Sequence, residues 1–152
     1  MTDAGLLGKD RAETVALLAL LRTAPRGVTW SDIACEVRLV GSALEVLNET
    51  QSAQGTLIPD TTRNNAIARA DAELSEWEAA GLDLVTILSD RYPTLLAGVF
   101  DCPPFLFVRG TTVPDDRGMS VVGSRKATPE GAAMARVAVQ LLAERGLTVI
   151  DR

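Results

Sequence analysis

At 152 residues and a net charge of −5, the chain suits one ordinary domain or two small ones, and is too acidic overall to coat nucleic acid indiscriminately. Its composition is globular, 47% hydrophobic and 23% charged, without repeats or low-complexity runs. Histidine is absent, which removes histidine triads, histidine general bases and most catalytic zinc sites.

No apolar run is long enough to cross a bilayer, and MTDAGLLGKD lacks a basic region followed by an apolar core. Cys35 and Cys102 have no paired spacing. A cytoplasmic protein with reduced thiols and no membrane partner is therefore expected.

The pattern predicts a first helix over residues 9–22, with Val15, Leu18 and Leu21 on one side and Leu17 and Leu20 widening the stripe. Pro25, Arg26 and Gly27 break it. Thr29 or Ser31 is placed to cap a second helix over 32–40, and Gly41-Ser42 is a hinge into a third over 43–49. Helix-turn-helix and helix-hairpin-helix DNA modules read this way too. A helical packing domain is the better reading, because the second helix offers Arg38 as its one cation beside Asp32 and Glu36.

Residues 51–62, with Gly55 and Pro59, read as a linker. A long helix is expected over 63–80, its stripe formed by Ile67, Ala70, Leu74 and Trp77 and its stop by Gly81. Trp77 continues that stripe and so reads as core instead of a stacking platform for a base. Residues 82–88 and 105–108 read as strands, with a short turn or helix after Tyr92-Pro93 and a surface loop over 111–118.

Residues 120–150 are the chemical centre. A short strand over 119–122 stops at Gly123. Thr128 then caps a helix that opens on Pro129, where no N–H is needed, and runs through 132–145 with Ala135, Ala138, Leu141 and Leu142 on one face. Gly146 ends it, and 147–150 is expected to be a buried strand. A strand, helix and strand this close together predict a parallel crossover.

Between strand and helix lie Gly123, Ser124, Arg125 and Lys126, directly ahead of a helix N-terminus that already favours an anion. Arg125 has the fork for phosphate oxygens and Lys126 is a point charge. Gly131 leaves room for close approach of ligand or strand to the helix backbone. The ligand implied is a phosphate, of a free nucleotide or of a nucleic-acid backbone. Charge agrees: residues 1–118 hold ten basic and seventeen acidic side chains, net −7, whereas 119–152 hold five and three, net +2.

Two standard phosphate motifs are excluded. There is no G-x-x-x-x-G-K-[ST], and Arg125 stands where G-x-G-x-x-G needs its second glycine. Asp151, at the position of a ribose-binding acid, is better read as a solvated carboxylate without those glycines.

Three segments together point to a family: D-R-Y-P-T-L-L at 90–96, C-P-P-F-L-F-V-R-G at 102–110 and S-V-V-G-S-R-K-A-T-P-E-G at 120–131. In this order and spacing they closely resemble the DNA-processing protein A (DprA/Smf) family over residues 81–150, while 5–80 is compatible with the helical N-terminal domain many members carry. The fold implied is α/β: a helical domain over 1–80, then over 81–152 the start of a Rossmann-like parallel sheet. The resemblance implies a recombination mediator that binds and protects single-stranded DNA and loads the RecA recombinase in natural transformation. It implies neither catalysis nor a metal or cofactor. Gly123, Ser124, Arg125, Lys126, Thr128 and Gly131 become the candidate contacts to DNA phosphates, and Tyr92-Pro93 and Arg109-Gly110 structural positions.

The family continues after its second strand with a segment of the type S-G-x-A-x-G-I-D, whereas here Ile150 is followed by Asp151-Arg152. A truncated form is therefore expected, without most of the family's surfaces for dimerisation and RecA contact. Its open sheet edges would offer a route to self-association. Two other readings stand beside this one. Rossmann-like nucleoside-monophosphate phosphoribohydrolases also carry a G-S-x loop, but their P-G-G-x-G-T-x-x-E segment is missing here. The other is a protein-interaction remnant that acts through its helices.

Overall fold

The computed structural model describes residues 3–53 and 60–150, and it is mixed α/β as the sequence predicts. In chain order the elements are α1 (Asp3–Thr23), α2 (Trp30–Val40), α3 (Ala43–Ala53), α4 (Asp60–Ala79), β1 (Asp83–Thr86), α5 (Thr94–Ala97), β2 (Phe105–Val108), β3 (Gly118–Ser120), α6 (Pro129–Glu144) and β4 (Thr148–Ile150). They form two compact units, Met1–Pro114 and Asp115–Arg152. The middle of the linker expected over 51–62, with Gly55 and Pro59, lies outside the described residues; its two ends belong to α3 and α4.

In the first unit α1 packs against α2, α3 and α4. Its stripe is wider than periodicity suggests. Residues 15–20 are buried without a break, because three helices surround that stretch, while Leu21 is only half-buried. Of the two possible caps for α2, Thr29 is the one used: its Oγ1 accepts from the Asp32 amide, and the Asp32 carboxylate accepts from the Thr29 amide. The helix therefore starts two residues earlier than read, and ends at Gly41 with φ +80°. In α4, Ala70 and Leu74 are buried, and Ile67 and Trp77 are half-buried beside them. After that helix the Leu82 amide donates to the Trp77 carbonyl around Gly81, whose φ of +73° suits glycine.

β1 and β2 pair antiparallel, from Asp83 opposite Val108 to Thr86 opposite Phe105. The connection between them, residues 87–104, holds only the four-residue α5 and no helix of the kind that usually carries a parallel crossover. Trp77 meets Phe107 edge-on at 4.9 Å, which puts the indole in packing, as its place in the stripe predicts.

The second unit contains the crossover. β3 and β4 pair in parallel, Gly118 with Thr148, Met119 with Val149 and Ser120 with Ile150, and α6 joins them. Two expectations change here. β4 is not buried: Thr148 and Ile150 are exposed and Val149 half-buried, because a two-stranded sheet covered by one helix shields little. Leu141 is not on the packed face of α6. The half-buried residues are Ala132, Ala135, Ala138, Val139 and Leu142, and Leu141 lies one helical step, about 100°, away from Leu142.

Candidate nucleic-acid phosphate site

The loop of residues 121–128 leaves the sheet where pairing ends. The Val121 amide still donates to the Ile150 carbonyl at 3.0 Å, after which Val122 is exposed. Ser124 then folds the loop on itself, its Oγ accepting from the Lys126 amide at 3.1 Å. Thr128 is extended (φ −73°, ψ 160°), its Oγ1 accepts from the Gly131 amide at 3.1 Å, and Pro129 starts the helix. Both hydroxyls are thus used as acceptors and keep their protons to donate. The Gly131 amide is occupied by the cap, so more of the anion's stabilisation falls to the cations than a bare helix terminus implies.

Packing does not explain the two glycines. A Cβ at Gly123 would meet nothing within 4 Å, and one at Gly131 only Thr128 Oγ1 at 3.5 Å, an ordinary contact. The strand does not approach the Gly131 backbone closely.

Beside the loop runs a groove of about 720 Å³, with Gly123, Ser124, Lys126, Thr128 and Gly131 along it. The structure brings five of the six predicted residues to this hollow. Arg125 belongs to the same exposed loop but does not line it. The far wall is α6, which contributes Arg136 and Gln140 over a floor that includes Ala132, Ala135, Val139 and Val149. Sequence reading missed Arg136. The available signal was its place four residues after Ala132, which puts both on one side of the helix.

In the first unit Arg11, Arg22, Arg69 and Arg91 are paired with carboxylates, whereas Arg26 and Arg109 have no such partner among the described residues. Arg125, Lys126 and Arg136 have no side-chain hydrogen bond or ion pair within the described residues. Arg125 and Lys126 stand just ahead of the start of α6 and Arg136 halfway along it on the groove side, and cations left uncommitted in this way can hold an anion. Asp151 lies outside the described residues.

The other two motifs form a structural lock within the first unit. Tyr92 is buried, and its hydroxyl donates to the Pro103 carbonyl at 2.6 Å, tying 90–96 to 102–110. The Ile87 amide donates to the Pro104 carbonyl at 2.9 Å, and Arg91 pairs with Asp83. Gly110 turns the chain at φ +107°. Arg38, the one cation of α2, donates to the Ala97 carbonyl and is engaged inside the unit.

Residues 83–151 match the family model of DNA recombination-mediator protein A. That is the family the three motifs resemble, and the matched span contains all three, the loop included. No curated protein matches the chain. Residues 83–151 are thus similar to that family, and within them the first two motifs hold structure while the third forms the candidate site. Among the described residues no helix is long and apolar enough to cross a membrane, and no group of acidic, cysteine or histidine side chains is arranged to hold a metal.

Proposed function

We propose that this chain binds single-stranded DNA as a recombination mediator in the cytoplasm, gripping the backbone with Gly123, Ser124, Arg125, Lys126, Thr128 and Gly131. The observation that carries this reading is the set of cations without an ion pair, Arg125 and Lys126 ahead of α6 and Arg136 midway along its groove side, in an otherwise acidic chain. The family match supports the recombination-mediator role, and we assign with it no catalysis or cofactor and the RecA recombinase as protein partner. By ancestry we place the domain boundary at residue 81, with a helical domain before it. That is a different division from the one by packing.

The grip is electrostatic and carries no base readout, so binding is expected to prefer single strands, ignore sequence and weaken with salt. Fluorescence anisotropy with labelled oligonucleotides checks this. Arg125→Ala should weaken binding about tenfold at every sequence tested, and Lys126→Ala less, since a point charge loses less geometry than a fork. Oligonucleotide binding left unchanged by Arg125→Ala moves the site elsewhere. Binding of a free nucleoside monophosphate with none of oligonucleotide would favour the phosphoribohydrolase-like reading.

A further inference from the structure

A hollow of about 700 Å³ opens within the first unit, bounded by α1, the end of α4, and β1 with the turn that follows it. That volume suits a small organic ligand. Along β1 and just beyond its ends, Leu82, Leu84, Thr86 and Leu88 line the hollow, whereas Val85 and Ile87 are buried in the core and do not. The alternation aims the Thr86 side chain into the hollow. Thr86 is 6% exposed, yet its hydroxyl has no hydrogen-bond partner among the described residues. Buried hydroxyls are ordinarily satisfied, so this one calls for a partner from outside the chain. The rim is charged, with five carboxylates and two guanidiniums. Both guanidiniums are taken: Arg11 is held by Glu78 and Arg91 by Asp83. The Glu13 carboxylate is spent on the start of α3. Asp10, on α1, and Asp90, in the turn after β1, make no ion pair or side-chain hydrogen bond among the described residues.

We propose that this hollow binds a flexible organic cation of the aliphatic polyamine class. Each part of such a molecule has a counterpart in the lining. The leucines take its methylene segments, as they would the stem of a lysine. Asp10 and Asp90, on separate walls, take ammonium groups, and Thr86 Oγ1 accepts an N–H between them. A nucleotide or another anion is repelled by the surplus of carboxylates. A bare metal ion is a poorer occupant, because no group of acidic, cysteine or histidine side chains among the described residues is arranged to hold one. None of the residues that line the phosphate groove takes part, so the site does not depend on DNA binding.

Isothermal titration calorimetry with spermidine, at constant ionic strength and without DNA, tests this. One molecule should bind per chain, with saturation. Asp10→Asn and Asp90→Asn should each weaken binding about threefold, the worth of an exposed ion pair. Thr86→Val keeps the shape and removes the hydroxyl, so it should weaken binding about fivefold without lowering the melting temperature of the free chain. Asp101→Asn, at an exposed acid outside the hollow, should change nothing. Heat that fails to saturate, or that magnesium chloride reproduces, overturns the proposal and reduces the effect to screening. Unchanged affinity in Thr86→Val overturns it as well. So does a loss in Asp101→Asn as large as that in Asp90→Asn, because the acidic surface as a whole would then be the binder.

Discussion

At the scale of single residues, Tyr92 shows how a motif position serves the fold. Burial, with the Cys102 thiol as a lesser cause, pushes its phenol up from 10.0 to about 12. The folded state thus holds the neutral form, while the unfolded chain releases the proton near the ordinary value. The linked stability is fully present below about pH 10 and is lost as pH rises through about 12. The chain has one tyrosine, so phenolate absorbance reads it alone. We expect a midpoint near 12 in the folded protein, a return to the ordinary value in denaturant, and no such alkaline loss of stability in Tyr92→Phe. A folded midpoint at the ordinary value would mean the ring is not held against Pro103. That Tyr92 is a structural position follows from the family resemblance. Its partner was not legible, since a backbone carbonyl eleven residues away leaves no mark on side-chain pattern.

Elements were most legible at their ends. Thr29, Gly41, Thr128-Pro129 and Gly146 each announce a helix boundary through local chemistry, and each is found there. What pattern could not show is a cap supplied from elsewhere. The Glu13 carboxylate, on α1, accepts from the Ala43 amide at 2.6 Å, the Leu44 amide at 3.2 Å and the Ser42 hydroxyl at 2.8 Å, closing the N-terminus of α3. Gly41-Ser42 reads as a hinge, but this tie pins it to α1. A carboxylate on free helix amides, favoured by the dipole, is worth more than an exposed ion pair. Glu13→Gln should therefore cost about 1–2 kcal/mol in urea unfolding, whereas the exposed Glu36→Gln should stay within about 0.5 kcal/mol of wild type. Equal effects would show that the tie is not used. Faces were less legible than ends. Leu141 was placed with Leu142 because hydrophobicity alone does not say which of two adjacent leucines meets the sheet.

For the whole molecule, the two units differ in what holds them. The first has a continuous core running from Val15 through Leu74 to Val85 and Tyr92. In the second, not one described residue is fully buried, and the parallel pair is three residues long. Parallel strands are ordinarily buried on both faces and paired on both sides, which is why the sequence of β4 reads as buried although its surroundings do not bury it. Apolar content reports what a segment could bury, and only neighbours decide what it does. Hydrogen exchange at low protein concentration follows from this: amides over 132–150 should exchange much faster than those over 67–77, whose helix lies on the core. Full protection of Val149 and Ile150 in a monomer would mean that the second unit is as stable as the first, against the burial observed. Protection that rises with concentration would instead assign a contact between copies to the edge of β4, where Ile150 stands half-exposed.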